Sequence, residues 1–306
     1  IGKEIKEYSP DAMFLNYVNP MAILTKYMLD KIQINAVGLC HSVQHCLDCI
    51  LRSVDMKEYE KNCQWEIAGI NHQAWLLKIN DENGNDLYPL IKQRSLEYKD
   101  KHKFDFDLVR HDMMHRFGYY ITESSEHSAE YFPYFIKKLY PELIEEYQIP
   151  LDEYPRRCVQ QAKEWDERKK SLLTSEVEHT ISNEFASVII DAKMGGKVAR
   201  IHGNVLNKGL ITNLPENCCV EVPCLVDTSG IHPCYIGDLP EQCAALNRTQ
   251  INVQNLVVEG ASQRNKELIY MAAYLDPHMS SELTLDRIKA LCDDLFEAHR
   301  KWLPDY

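Results

Sequence analysis

The sequence predicts an α/β unit followed by a mixed α+β region, and three observations carry that reading. An apolar strand, a helix and a second apolar strand succeed one another within the first forty residues. Two apolar runs end in chemistry-bearing residues, Cys40-His41 and Asn71-His72-Gln73. From about residue 107 onward helical patterns dominate, interrupted by strand-like runs around Cys218-Cys219-Val220-Glu221-Val222.

Ala12-Met13-Phe14-Leu15 reads as a buried strand leading into Asn16-Tyr17-Val18-Asn19-Pro20. A helix from about Met21 to Asp30 and a second apolar run, Ile34 to Leu39, complete a βαβ unit that delivers Cys40 and His41. Parallel sheets need both faces covered and more than two strands. The expectation is therefore a chain that begins inside a domain whose earlier strands are absent. No G-x-G-x-x-G occurs in it.

Trp65 to Ile70 reads as a strand running into Asn71-His72-Gln73, a second strand-to-site junction of the same form as the one at Cys40-His41. Polar groups at strand ends are where open α/β sheets place ligands. Asn80 to Asn85 is a turn-rich excursion. Asp107 is placed to cap a helix carrying Val109, Met113 and Phe117, with Gly118 as its stop. Pro155 opens a long charged helix to about Leu172. In the last helix Ile288, Leu291, Leu295 and Trp302 lie near one face, before Pro304.

With 34 basic and 46 acidic residues the formal charge is −12 and no basic block occurs, which argues against a nucleic-acid partner. No apolar stretch has the roughly 18 residues of a membrane span. The N-terminal stretch shows no signal-peptide apolar core. Eleven cysteines scattered along a long chain suit reduced, mostly buried thiols in a cytoplasm better than a disulfide scaffold. Asn247-Arg248-Thr249 is accordingly read as an accidental sequon.

Several clusters could carry chemistry. Cys46-x-x-Cys49 lacks a second Cys/His pair at zinc spacing, so apolar cysteines on a helix are the better reading. His111 and His115 are i, i+4 neighbours without the zincin glutamate, which favours a solvated or hydrogen-bonded helix face. Glu123, Glu126 and Glu130 offer acid/base groups beside His127, a weak signal in an acidic protein. Met113 and Met114 read as core.

Six motifs occur in order: N-Y-V-N-P at 16–20, V-G-L-C-H-S-V-Q at 37–44, G-I-N-H-Q-A-W at 69–75, G-Y-Y-I-T-E-S-S-E-H at 118–127, L-D-E-Y-P-R-R-C at 151–158 and C-C-V-E-V-P-C-L-V-D at 218–227. Together they resemble glycoside hydrolase family 4, and within it the α-galactosidase (melibiase) branch, from about Ala12 to Leu303. The resemblance implies the end of a Rossmann-type parallel sheet followed by a lactate-dehydrogenase-like C-terminal α+β domain. Residues 1–45 would be the last strands of a truncated NAD-binding domain, and 46–306 the C-terminal domain. It also implies NAD- and Mn²⁺-dependent hydrolysis by redox elimination: oxidation at C3, deprotonation at C2, elimination at C1 and addition of water. The family is an exception to two-carboxylate glycoside hydrolysis.

Carried over by motif, Cys40 and His72 match metal ligands and Asn19 a sugar-binding asparagine. His41 stands where some members have an aspartate assisting the leaving group. Tyr120 and Glu123 are the candidates for the base. Thiolate plus imidazole would suggest zinc or another late metal, whereas the resemblance implies manganese. The expected substrate is an α-galactoside such as melibiose, handled by a cytoplasmic homo-oligomer with no nucleic-acid or membrane partner. Because the glycine-rich loop lies outside the chain, these residues alone are expected to be inactive. The alternatives are a relative acting on an α-glucoside or galacturonide, and a non-catalytic metal-binding or oligomerising remnant.

Overall fold

The computed structural model describes residues 1–99, 107–175, 184–304 and 306. Among the described residues eight strands form a single sheet: β1 Phe14–Asn16, β2 Ala36–Gly38, β3 Gln64–Ile70, β4 Gln73–Asn80, β5 Tyr120–Ile121, β6 Ala199–Leu206, β7 Cys219–Asp227 and β8 Gly230–Pro233. Their spatial order is β1-β2-β6-β7-β3-β4-β5, with β8 on β7. Among these strands β1 and β2 pair in parallel, and the other ladders are antiparallel.

The expected βαβ unit is present, and the sheet does not stop at it. Gly38 of β2 faces Asn204 of β6, so strands from the second half extend the first. The expected division after residue 45 falls inside the helix Ser42–Ser53, and the sheet runs on across it. The connecting helix begins at Met21, is regular to Lys26 and continues as a wider π turn over Tyr27–Ile32.

β2 and the C-terminal half of β3 bury both faces and read as apolar runs, while the central β6 and β7 also bury the polar His202, Asn204 and Glu221. Val37, Leu39, Ile70, Val220 and Val222 share one core cluster. A second forms where the helix Ser42–Ser53 lays Cys46, Ile50 and Leu51 against Ile67 and Leu76. Trp75 leads a third, with Val109, Met113 and Phe132. Its indole donates to Asn247 Oδ1 at 3.2 Å, and Asn247 Nδ2 donates to the Gln73 carbonyl at 2.8 Å. The sequon asparagine is thus a buried brace for the β3–β4 hairpin.

Asp107 does stand at the start of the helix Leu108–Phe117, but its carboxylate caps no backbone N–H. It accepts instead from Arg110, Tyr120 and Ser125. Gly118, at φ +93°, closes that helix in the left-handed region that favours glycine. The helix Glu153–Thr174 holds Pro155 in its first turn and has no buried residue. The last helix, Leu285–His299, stops ahead of Trp302 and Pro304. All eleven cysteines are free, most of them buried. Among the described residues no helix is long and apolar enough to cross a membrane.

Candidate active site

Three chain segments converge at one end of the central strands. Just beyond β2, Cys40 sits buried at the entrance to the helix Ser42–Ser53. The two-residue loop Asn71-His72 joins β3 to β4 and carries His72 at φ +64°. A left-handed conformation is uncommon for a non-glycine residue and costs backbone strain, which concentrates at functional positions. Gly69 makes the tight hairpin possible: a Cβ there would lie 2.6 Å from the Gln73 carbonyl oxygen. The third segment follows β5, where Thr122 N bonds to Ala74 O and sets Glu123 beside the hairpin.

The ligand atoms of Cys40, His72 and Glu123 all lie within 4.8 Å of one another. Glu123 Oε1 accepts from Ser124 N at 2.8 Å, which leaves Oε2 to approach His72 Nε2 at 3.3 Å. The other imidazole nitrogen, Nδ1, bonds the Tyr131 hydroxyl at 3.0 Å. The His127 ring stacks on His72 at 5.6 Å and 8°. Thiolate, imidazole and carboxylate bind divalent metals at about 2.0–2.3 Å, so three such atoms around one ion fit within this spacing.

Burial lowers the pKa of His72 below the ordinary histidine value, against the opposing pull of Glu123. The imidazole is therefore neutral at neutral pH, the form a metal requires. Burial, aided by Glu123 and Glu130, pushes the Tyr131 hydroxyl up to about 12. Glu221 on β7, fully buried and paired with Asn204 Nδ2 at 3.0 Å, is raised by burial and by Cys40 to about 8.

His72 opens onto a cavity of about 1060 Å³ whose lining includes Asn19, Gln73, His127, Glu130 and Tyr131. The Asn19–Pro20 bond is cis, and Asn19 Oδ1 accepts from Met21 N at 3.0 Å.

Two of the residues singled out in the sequence are placed elsewhere. Tyr120 has no exposed surface, and its hydroxyl donates to Asp107 Oδ2 at 2.5 Å inside the core. Burial holds its pKa well above the usual tyrosine value. A side chain so enclosed cannot take a proton from a sugar. His41 follows Cys40 directly, yet its Nε2 bonds Glu184 Oε1 at 2.7 Å and its ring stacks on Tyr17 at 5.6 Å. It is not among the residues lining the cavity. His111 and His115 are hydrogen-bonded, through Ser95 Oγ at 2.7 and 3.0 Å. Cys46 points into the core. Tyr131 was not singled out; its only sequence signal is the i+4 spacing from His127 on the helix Ser125–Tyr131.

The profile of the family 4 glycosyl hydrolase C-terminal domain matches residues 67–279, and that of family 4 glycosyl hydrolases matches residues 1–56. The chain belongs to glycoside hydrolase family 4. An α-galactosidase of Bacillus subtilis (strain 168) is 52% identical over 308 residues, covering 100% of this chain and 70% of that protein. An α-galactosidase of Rhizobium meliloti (strain 1021) is 32% identical over 320 residues, covering 99% of this chain and 63% of that protein. Among solved structures, a 6-phospho-α-glucosidase from gut microorganisms, in complex with NAD and Mn²⁺, superimposes with a TM-score of 0.77. It is 19% identical and covers 99% of this chain and 70% of its own. That likeness establishes the family 4 fold: a mixed α/β sheet continued into an α+β region.

Proposed function

We propose that this chain carries the metal- and sugar-binding machinery of an α-galactosidase that works by NAD- and metal-dependent redox elimination. The observation that carries the reading is the convergence of Cys40, His72 and Glu123 beside the cavity onto which His72 opens, in a chain 52% identical to an α-galactosidase along its whole length. Manganese and NAD, as in the solved relative, would supply Lewis-acid stabilisation of sugar oxygens and a hydride acceptor for C3.

The residues present fit a divalent metal. A neutral buried imidazole, a thiol and a carboxylate oxygen share one small volume, and three protein donors leave positions open for sugar oxygens. NAD contacts are assigned to none of the described residues, because the chain contains no G-x-G-x-x-G loop.

With His72 Nε2 turned to the metal position, its Nδ1–H donates to the Tyr131 oxygen and fixes the ring. Asn19, its Oδ1 occupied by Met21 N, has its amide N–H groups to offer a sugar hydroxyl. Removal of the C2 proton falls to Glu123 or Tyr131. Glu123 has one oxygen anchored and one directed at His72, so its place is that of a third metal donor. Tyr131 lines the cavity and replaces Tyr120 as the tyrosine at the site. With a pKa near 12 it acts as a base only where nearby positive charge stabilises the phenolate.

Hydrolysis of p-nitrophenyl α-galactoside by this chain joined to a glycine-rich dinucleotide-binding segment, set beside the α-glucoside and α-galacturonide, tests the reading. Galactoside hydrolysis that requires both NAD⁺ and Mn²⁺ is expected. Cofactor-independent turnover, or preference for either of the other sugars, would overturn it.

A further inference from the structure

Long helices in this chain cover an apolar face. Glu241–Gln263 buries Cys243, Ile251 and Val258, and Leu285–His299 buries Ile288 and Cys292. The helix Glu153–Thr174, 22 residues and so about 33 Å long, does not: every residue from Tyr154 to Thr174 is exposed. Yet its sequence is patterned for burial. At 3.6 residues per turn Tyr154, Cys158, Ala162, Trp165 and Leu172 fall within about 80° of arc, with Leu173 at the margin. Arg156, Lys163 and Glu167 stand on the opposite side. Trp165 is 55% exposed, Leu172 58% and Leu173 77%. Helices in water draw most of their stability from packing such a stripe, and a contiguous exposed apolar strip marks an interaction site.

Charge complementarity indicates what covers it. The helix carries six basic residues against four acidic, a net +2, whereas the chain has 34 basic and 46 acidic. The remainder therefore holds 28 basic and 42 acidic residues, a net −14. A positive helix is drawn to an acidic surface, and every other copy of this chain presents one. Two-fold symmetry adds area, because each copy offers its helix and receives the other's. One stripe thus counts twice towards the roughly 800 Å² per partner of a stable interface.

The root of the helix is also a wall of the cavity, which Asp152, Glu153, Tyr154, Pro155 and Arg157 line. The chain turns into the helix through Gln148 and Asp152, both in the left-handed region at φ +53° and +56°. Arg157 lies 4.0 Å from Glu126, a surface ion pair of little energetic weight. A body seated against the stripe would hold that wall in place.

We propose that a second copy of this chain seats on the stripe Tyr154, Cys158, Trp165 and Leu172, forming a two-fold dimer that fixes one wall of the cavity. The dimer does not depend on the glycosidase reading, and its test reads no activity.

Sedimentation equilibrium of the full chain measures the dissociation constant of the dimer for wild type, Trp165→Glu/Leu172→Glu and, on the charged side, Glu167→Gln. Wild type is expected to be a dimer at micromolar concentration and Glu167→Gln to match it. The double variant is expected to weaken association by about 100-fold or more. Cys158 supplies a second readout in the unaltered protein, because its exposed thiol lies in the stripe. Its alkylation, followed by mass spectrometry, should be about tenfold slower in the wild-type dimer than in the urea-unfolded chain. If circular dichroism shows the double variant to have lost helix, the wild-type Cys158 rate decides alone. A monomeric wild type, a folded double variant that still dimerises, or Cys158 as reactive in the dimer as in the unfolded chain overturns the proposal. Loss of the dimer in Glu167→Gln to the same extent as in the double variant overturns the assignment to the apolar stripe.

Discussion

His72 Nε2 lies 3.3 Å from Glu123 Oε2, joining a strained hairpin loop to the segment that leaves β5. The two residues are fifty-one positions apart, and the sheet brings them together because β5 pairs with β4, the strand His72 introduces. With Cys40 they make a donor set whose three members come from three separate connections of one sheet.

The metal assignment predicts a specific pattern of losses. Cys40→Ser and His72→Asn should each weaken Mn²⁺ binding by about 100-fold or more. Tyr131→Phe, which removes only the hydroxyl at Nδ1, should cost about tenfold. Thermal midpoints of the metal-free variants should stay near wild type, since the cluster borders a cavity. Calorimetric titration with Mn²⁺ decides the matter. Unaltered affinity in Cys40→Ser would place the ion elsewhere.

Tyr120 should behave as a residue of stability. Its buried hydroxyl satisfies Asp107, which also serves Arg110 and Ser125. Tyr120→Phe leaves a buried carboxylate short of one donor and should cost about 1–3 kcal/mol. Urea denaturation reads that loss, and Mn²⁺ affinity should not move. A variant of native stability with impaired catalysis would restore Tyr120 to the site.

Acid sensitivity should trace in part to His111. The ring is 3% exposed and held by Ser95 Oγ at 2.7 Å and Ser53 Oγ at 2.9 Å. Burial lowers its pKa from 6.5 to about 4, partly opposed by Asp107. Above pH 6.5 both folded and unfolded forms are neutral, and the group contributes no pH dependence. Below it the unfolded chain takes up a proton that the native state refuses, so stability falls until the native ring protonates near pH 4. The loss over that window is at most about 3 kcal/mol. Denaturation at pH 7.5, 5.5 and 4.5 should show it in wild type and a flatter profile in His111→Gln. Parallel profiles would assign the sensitivity to other groups.

What could be read from the sequence divides along a physical line. β2 and the end of β3 are buried on both faces, so apolar runs mark them, and the residues after the two runs, Cys40 and His72, mark the site. Which side chains around those ends face the cavity is a different matter. Tyr120 lies in the same motif as Glu123, but a two-residue strand and its neighbours do not disclose which face is core. His41 adjoins Cys40, and only the fold shows that Glu184, far along the chain, holds it. Tyr131 and Gln73 gain their meaning from a helix folded back over the hairpin and from the brace by Asn247. No local periodicity encodes either contact.

The chemical step offers the sharpest prediction. If a ketone at C3 activates C2, the C2 proton must leave before or as the C1 bond breaks, whereas two-carboxylate hydrolysis leaves it in place. In the chain joined to a glycine-rich dinucleotide-binding segment, hydrolysis of an α-galactoside in deuterated water should therefore yield galactose carrying deuterium at C2, through reprotonation. Glu123→Gln and Tyr131→Phe, assayed with NAD⁺ and Mn²⁺ saturating, then separate ligand from base. Loss of the base should lower kcat by about 10²–10⁴-fold, with Mn²⁺ affinity falling by no more than about tenfold. Loss of a metal donor should raise the Mn²⁺ concentration needed for half-maximal rate, and added metal should restore much of kcat. The first pattern is expected of Tyr131, which lines the cavity, and the second of Glu123, whose Oε2 lies beside His72 Nε2. Product without deuterium at C2 would reject elimination altogether. Deuterium retained with the two patterns exchanged would keep the mechanism and make Glu123 the base.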